Sequence, residues 1–168
     1  MMKKMICNLF SVIAMMAMPS GCQSYEDISM ILGADVSAAK VVSEMDTHSG
    51  FHGDGEKYME FQFKDDTFEN TIKEDNTWHS LPLQDDVITA LFYGLEMDGA
   101  VYGPYLWSEQ GEPLMPNVEN GYYLFYDRHP ESSVPFNSTG VLERSSLNFT
   151  AALYDADAEI LYYVELDT

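Results

Sequence analysis

Basic residues are scarce. Only eight Lys and Arg stand against 28 Asp and Glu in 168 residues. Two of the eight, Lys3 and Lys4, precede every acid, so residues 22–168 carry 28 acids against six bases, a formal charge near −22. That balance excludes the electrostatic footprint of a nucleic-acid binder and adsorption to anionic headgroups. It suits a solvated acidic surface, and it leaves open a cation, a basic protein or a small-molecule ligand as partner. Cysteine is nearly absent too, with Cys7 and Cys22 alone. No apolar run reaches membrane length; the longest, Met5 to Met18, has 14 positions interrupted by Asn8 and Ser11. There is no serine nucleophile elbow, no P-loop and no dinucleotide fingerprint. Internal repeats and low-complexity tracts are missing as well.

What is present begins at the amino terminus. Lys3 and Lys4, the short apolar run, and then Ser20-Gly21-Cys22 make an export signal ending at a cysteine. These residues resemble the signal of bacterial lipoproteins, although Pro19 stands where that family usually has Leu. The resemblance implies cleavage before Cys22, a signal peptide over 1–21, and acyl chains such as palmitate on Cys22. The chain would then be membrane-anchored and face outside the cytoplasm. The alternative is an ordinary secretory signal, with Cys22 a bystander and the protein secreted. Cysteine arithmetic favours the anchor: after cleavage one thiol remains, it has no intramolecular partner, and lipidation would mask it in an oxidising compartment.

Residues 22–168 have the length of one domain. Apolar residues at 46% and aromatics at 13% are too abundant for a disordered chain. Ser24 to Leu32 reads as a helix with Ser24 as cap, Asp27 three residues on and Gly33 as stop. Residues 39–45 and 58–63 read as strands, the second from the alternation of Met59, Phe61 and Phe63 with Glu60 and Gln62. A helix over 66–75 follows from Asp66 and Glu69 as a capping box and from Phe68 and Ile72 on one face. Another over 86–93 follows from Val87, Ile88, Leu91 and Phe92, with Gly94 ending it. Residues 95–119 are broken by Gly and Pro into short strands and turns. Tyr122 to Tyr126 reads as a central strand covered on both faces. Leu147, Phe149, Ala151 and Leu153, then Ile160, Tyr162, Val164 and Leu166, form a β-hairpin that closes the sheet. The expectation is an α+β fold: an antiparallel β-sheet with a C-terminal hairpin, packed by two or three short helices.

Three groups of residues invite a chemical reading. Asp46, His48, His52 and Asp54 crowd a glycine-rich turn, and two imidazoles with two carboxylates are a divalent-metal set. Their spacing matches no known zinc motif, and a hairpin turn whose Asp and His groups bind loose amides accounts for the same residues. Asp155, Asp157 and Glu159 echo a calcium loop, but Ile160 occupies the position where that loop requires glycine. Tyr102, Tyr105 and Trp107 can line a sugar or peptide groove or pack a core. No cofactor is implied. The string Asp46-Thr47-His48, followed by Gly50-Phe51-His52-Gly53-Asp54-Gly55, resembles small uncharacterised exported proteins of gut Firmicutes. That similarity extends to Trp78–Leu83 and the C-terminal hairpin, and it implies no activity.

The functional expectation is an extracytoplasmic lipoprotein with a non-catalytic binding or interaction domain. The alternatives are a metal-dependent hydrolase on Asp46, His48, His52 and Asp54, and an inhibitor or immunity-type protein with an acidic binding face.

Overall fold

The computed structural model describes residues 24–48, 53–108 and 110–168. The expected signal peptide, Cys22 and His52 lie outside these described residues. The first helix, α1 (Tyr25–Leu32), starts where local chemistry requires it. Ser24 accepts the Asp27 amide through its hydroxyl, and Asp27 accepts the Ser24 amide at 3.1 Å, a reciprocal cap. Gly33 ends the helix at φ 67°, a left-handed conformation that costs a residue without Cβ almost nothing. A hairpin follows, β1 (Lys40–Asp46) and β2 (Gly55–Gln62).

Helix α2 (Thr67–Glu74) has Asp66 at its N-cap position, as the sequence implies, but not the capping-box bonds expected there. Asp66 makes no side-chain cap. Asp65 instead accepts the Thr67 amide at 3.0 Å, and Glu69 turns outward to Lys73 at 2.7 Å. Asp66 lies at φ −79° and ψ 9°, outside the extended conformation from which an N-cap side chain reaches the first-turn amides. Then come β3 (His79–Ser80), α3 (Asp86–Tyr93), and the small hairpin β4 (Leu95–Met97) with β5 (Ala100–Tyr102). Asp98 and Gly99 turn that hairpin at φ 52° and 79°, the conformation an Asp-Gly pair favours. The chain ends with β6 (Gly121–Asp127), a 3-10 turn at Val141–Glu143, β7 (Asn148–Asp155) and β8 (Ile160–Asp167).

Six strands form one antiparallel sheet in the order β1-β2-β8-β7-β6-β3. The fold is α+β, as the sequence implies. Yet the C-terminal hairpin does not close the sheet; it is its centre. β8 pairs with β2 on one side and β7 on the other, while β6 lies next to the two-residue edge strand β3. Both phases of the central strands are buried. Leu153, Phe149, Val164 and Leu166 face α3 and the segment around Leu106 and Met115. Ala152, Tyr154, Leu161 and Tyr163 face α1, α2 and Trp78. A three-layer sandwich results, with α1 and α2 on one side and α3 on the other. Each fully buried Leu, Phe or Tyr contributes on the order of 1.5–3 kcal/mol by leaving water. The Trp78 indole also ties α2's exit to α1, donating to the Leu32 carbonyl at 2.9 Å. No helix among the described residues is long and apolar enough to cross a membrane.

Candidate functional site

The glycine-rich turn does join β1 to β2, with the Thr47 amide donating to the Glu56 carbonyl at 2.8 Å. Asp46 accepts the His48 amide at 3.0 Å and stands 2.8 Å from His48 Nδ1 through the same oxygen. The other ring nitrogen, Nε2, lies 3.1 Å from Asp167 Oδ2 at the far end of β8. Either tautomer of a neutral ring bonds one carboxylate, whereas the imidazolium bonds both. Asp167 is further held by Arg128, whose guanidinium donates to Oδ2 at 2.9 Å, and by Asn148, whose amide donates to Oδ1 at 3.0 Å. Burial pushes the Asp167 carboxyl up, but the Arg128, Asn148 and His48 hydrogen bonds outweigh it and leave it below its ordinary value. Of the four residues in the predicted metal set, the structure brings Asp46 and His48 together. Asp54 is exposed, and His52 is outside the described residues. Among the described residues no group of three His, Cys, Asp or Glu side chains is arranged to hold a metal ion.

Next to this clasp the sheet carries a row of buried polar residues, Lys57, Glu165 and Thr150, aligned across β2, β8 and β7. The Tyr163 hydroxyl donates to Glu165, and burial first, then the Glu165 charge, pushes that phenol up. Arg128 ties β7 and β8 to the clasp, also donating to the Phe149 carbonyl at 3.0 Å and the Leu166 carbonyl at 3.3 Å. The whole arrangement binds the β1–β2 hairpin to the C-terminal strand. Its carboxylates and ring nitrogens are engaged with one another, so chemistry on a substrate would first have to break a clasp contact.

The aromatic trio divides. Tyr102 and Tyr105 are half-buried, and Tyr105 packs beside the α3 core, whereas Trp107 is 46% exposed. Trp107 forms an isolated bridge to Pro113, and its backbone amide donates to the Glu56 carboxylate. Burial raises the Glu56 carboxyl despite that bond. The calcium-like segment is a turn: Asp155 accepts the amides of Asp157 and Ala158 at 2.9 Å each, and Asp157 accepts the Asn120 amide at 2.7 Å.

A cleft of about 320 Å³ lies along the outer edge of β6, where β3 stops. Its floor is Tyr123, Phe125 and Ile88; its rim is His79, the approach to α3, and residues 136–139. Asp85 organises the wall. One carboxylate oxygen caps α3 by accepting the Val87 and Ile88 amides at 2.9 and 3.2 Å, and the other accepts the Ser138 hydroxyl at 2.5 Å. Sequence reasoning missed this cleft. A cap signal exists at Asp85, immediately before the α3 stripe, but nothing local links it to Ser138, 53 residues on. Asp167, Arg128 and Asn148 were missed for the same reason.

No family model, no curated protein and no solved structure matches this chain.

Proposed function

We propose that the chain is an exported lipoprotein, anchored through acyl chains on Cys22, whose folded domain binds a ligand outside the cytoplasm. The anchor rests on the sequence: a short basic-apolar signal ends at the sole cysteine of residues 22–168. The binding reading rests on the cleft beside β6, a concave, partly apolar surface with polar groups at its rim. Helix α1 begins three residues after Cys22, so the anchor would hold the domain close to the lipid surface. Cys22→Ser should abolish incorporation of labelled palmitate and shift the protein from the membrane fraction to the soluble one. Equal membrane retention of the variant overturns the anchor.

A second reading, an inhibitor or immunity-type protein, draws on exposed Trp107 beside the Glu56 carboxylate. It requires salt-sensitive binding of a basic protein that Trp107→Ala weakens. The metal-dependent hydrolase draws less support, because both His48 nitrogens face carboxylates. Stoichiometric zinc in tag-free protein, lost in the His48→Ala, His52→Ala double variant with folding intact, would reinstate it.

A further inference from the structure

From the chemistry of its lining, we infer that the cleft beside β6 takes an uncharged, hydroxyl-rich ligand, a neutral saccharide. This inference rests on the binding-domain reading and names its ligand class. Charge selects first. No Lys or Arg lines the cleft, and the surrounding molecule is strongly acidic, so an anionic ligand gains no partner and meets repulsion. A cationic ligand fares little better. Asp85 is the only carboxylate in the lining, and both of its oxygens are already engaged, with the α3 amides and with Ser138.

What remains is neutral and unspent. Among the described residues the Gln84 side-chain amide and the Thr139 hydroxyl carry no hydrogen bond. Asn137 uses its carbonyl oxygen to accept the Thr139 amide at 2.7 Å, which leaves its NH₂ free to donate. Amides and hydroxyls pair with sugar hydroxyls, which donate and accept at one atom. Phe136 supplies an apolar face. It is 40% exposed, and its ring rests 5.1 Å from that of Tyr126, which holds it at the rim. A ring so placed stacks on the C–H face of a pyranose. The His79 ring, 5.3 Å from Tyr123, offers a second plane in the lining. The volume, about 320 Å³, sits at the small end of ligand pockets and suits one or two sugar rings.

Calorimetric titration of the full-length exported chain in detergent tests this. The probes are maltotriose, cellotriose and N,N′-diacetylchitobiose, with trilysine and glucose 6-phosphate as charged comparisons. We expect at least one neutral saccharide to bind with a Kd of about 1 mM or tighter. Phe136→Ala and Asn137→Ala should each weaken it by about three- to tenfold, and Trp107→Ala should leave it unchanged. Both cleft residues are exposed, and unchanged thermal midpoints verify folding. Failure of all three saccharides, or binding indifferent to both cleft variants, overturns the inference. Tight trilysine binding that Phe136→Ala weakens overturns the saccharide while sustaining the binding-domain reading. Loss of palmitate labelling in Cys22→Ser is a separate result and tests only the anchor.

Discussion

His48 and Asp167 are 119 positions apart in sequence and 3.1 Å apart in the fold. Their pairing makes stability depend on acid in a defined direction. The Asp167 carboxyl titrates below its ordinary 3.8 in the folded chain. The unfolded chain therefore takes up this proton first as pH falls. The contribution of Asp167 is complete above the ordinary carboxylate value and is lost as pH drops through the lower, folded value. Denaturant midpoints measured between about pH 5 and pH 2 should fall more steeply for the wild type than for Asp167→Asn. Equal slopes would show that the clasp does not hold this proton. A second residue carries no charge at all. Leu153 is fully buried at the centre of the sheet, opposite Tyr123 on β6 and Tyr162 on β8 and within the core on the α3 side. Leu153→Ala should cost about 2–5 kcal/mol, read from chemical denaturation, because the cavity cannot collapse between two packed layers.

Element α1 is held by its ends more than by its length. Eight residues make a marginal helix in water. The Ser24–Asp27 cap satisfies its first amides, and Trp78 satisfies a carbonyl in its last turn. Trp78→Phe keeps most of the apolar area against Phe68 but leaves the Leu32 carbonyl without its donor. We expect a loss of about 1–3 kcal/mol and selectively faster amide exchange in α1. Uniform exchange across the sheet instead would mean that α1 does not open independently. At the sheet's edge, β1 carries a register shift between Val41 and Ser43, a bulge that discourages pairing with another copy.

The whole molecule is dominated by like charge. Ion pairs among the described residues include two at His48 and others at Lys73, Arg128 and Arg144. With 28 acids against eight bases, most carboxylates have no cation to pair with. The Debye length is about 10 Å at 0.1 M salt and about 3 Å at 1 M, so added salt screens repulsion across the surface. The thermal midpoint should rise steadily as sodium chloride increases from about 0.01 to 0.5 M. A falling midpoint would show that the few attractive pairs, rather than the net charge, set the electrostatic balance.

Local chemistry made several parts legible in the sequence. Ser24, Asp27 and Gly33 bound α1 because caps act within four residues, and the alternation of Val164 and Leu166 marks one face of β8 because strand side chains repeat every two. The β1–β2 turn was legible from its glycines. The layering was not. Tyr154 and Tyr163 occupy positions that a half-exposed strand would leave to solvent, and only the packing of α1 and α2 over them makes that face a core. The position of the C-terminal hairpin at the sheet's centre was equally hidden, because pairing order depends on which distant strands dock beside it. The clasp and the cleft share this origin. Asp46 and His48 signal a turn by themselves, and Asp85 signals a helix start. Sheet register and the path of the 128–140 segment bring Asp167, Arg128 and Ser138 to them. Sequence alone determined the local elements and the acidic charge, because both depend on neighbouring residues or on composition. Tertiary structure decided which polar groups meet, because contacts across tens of residues leave no periodic trace.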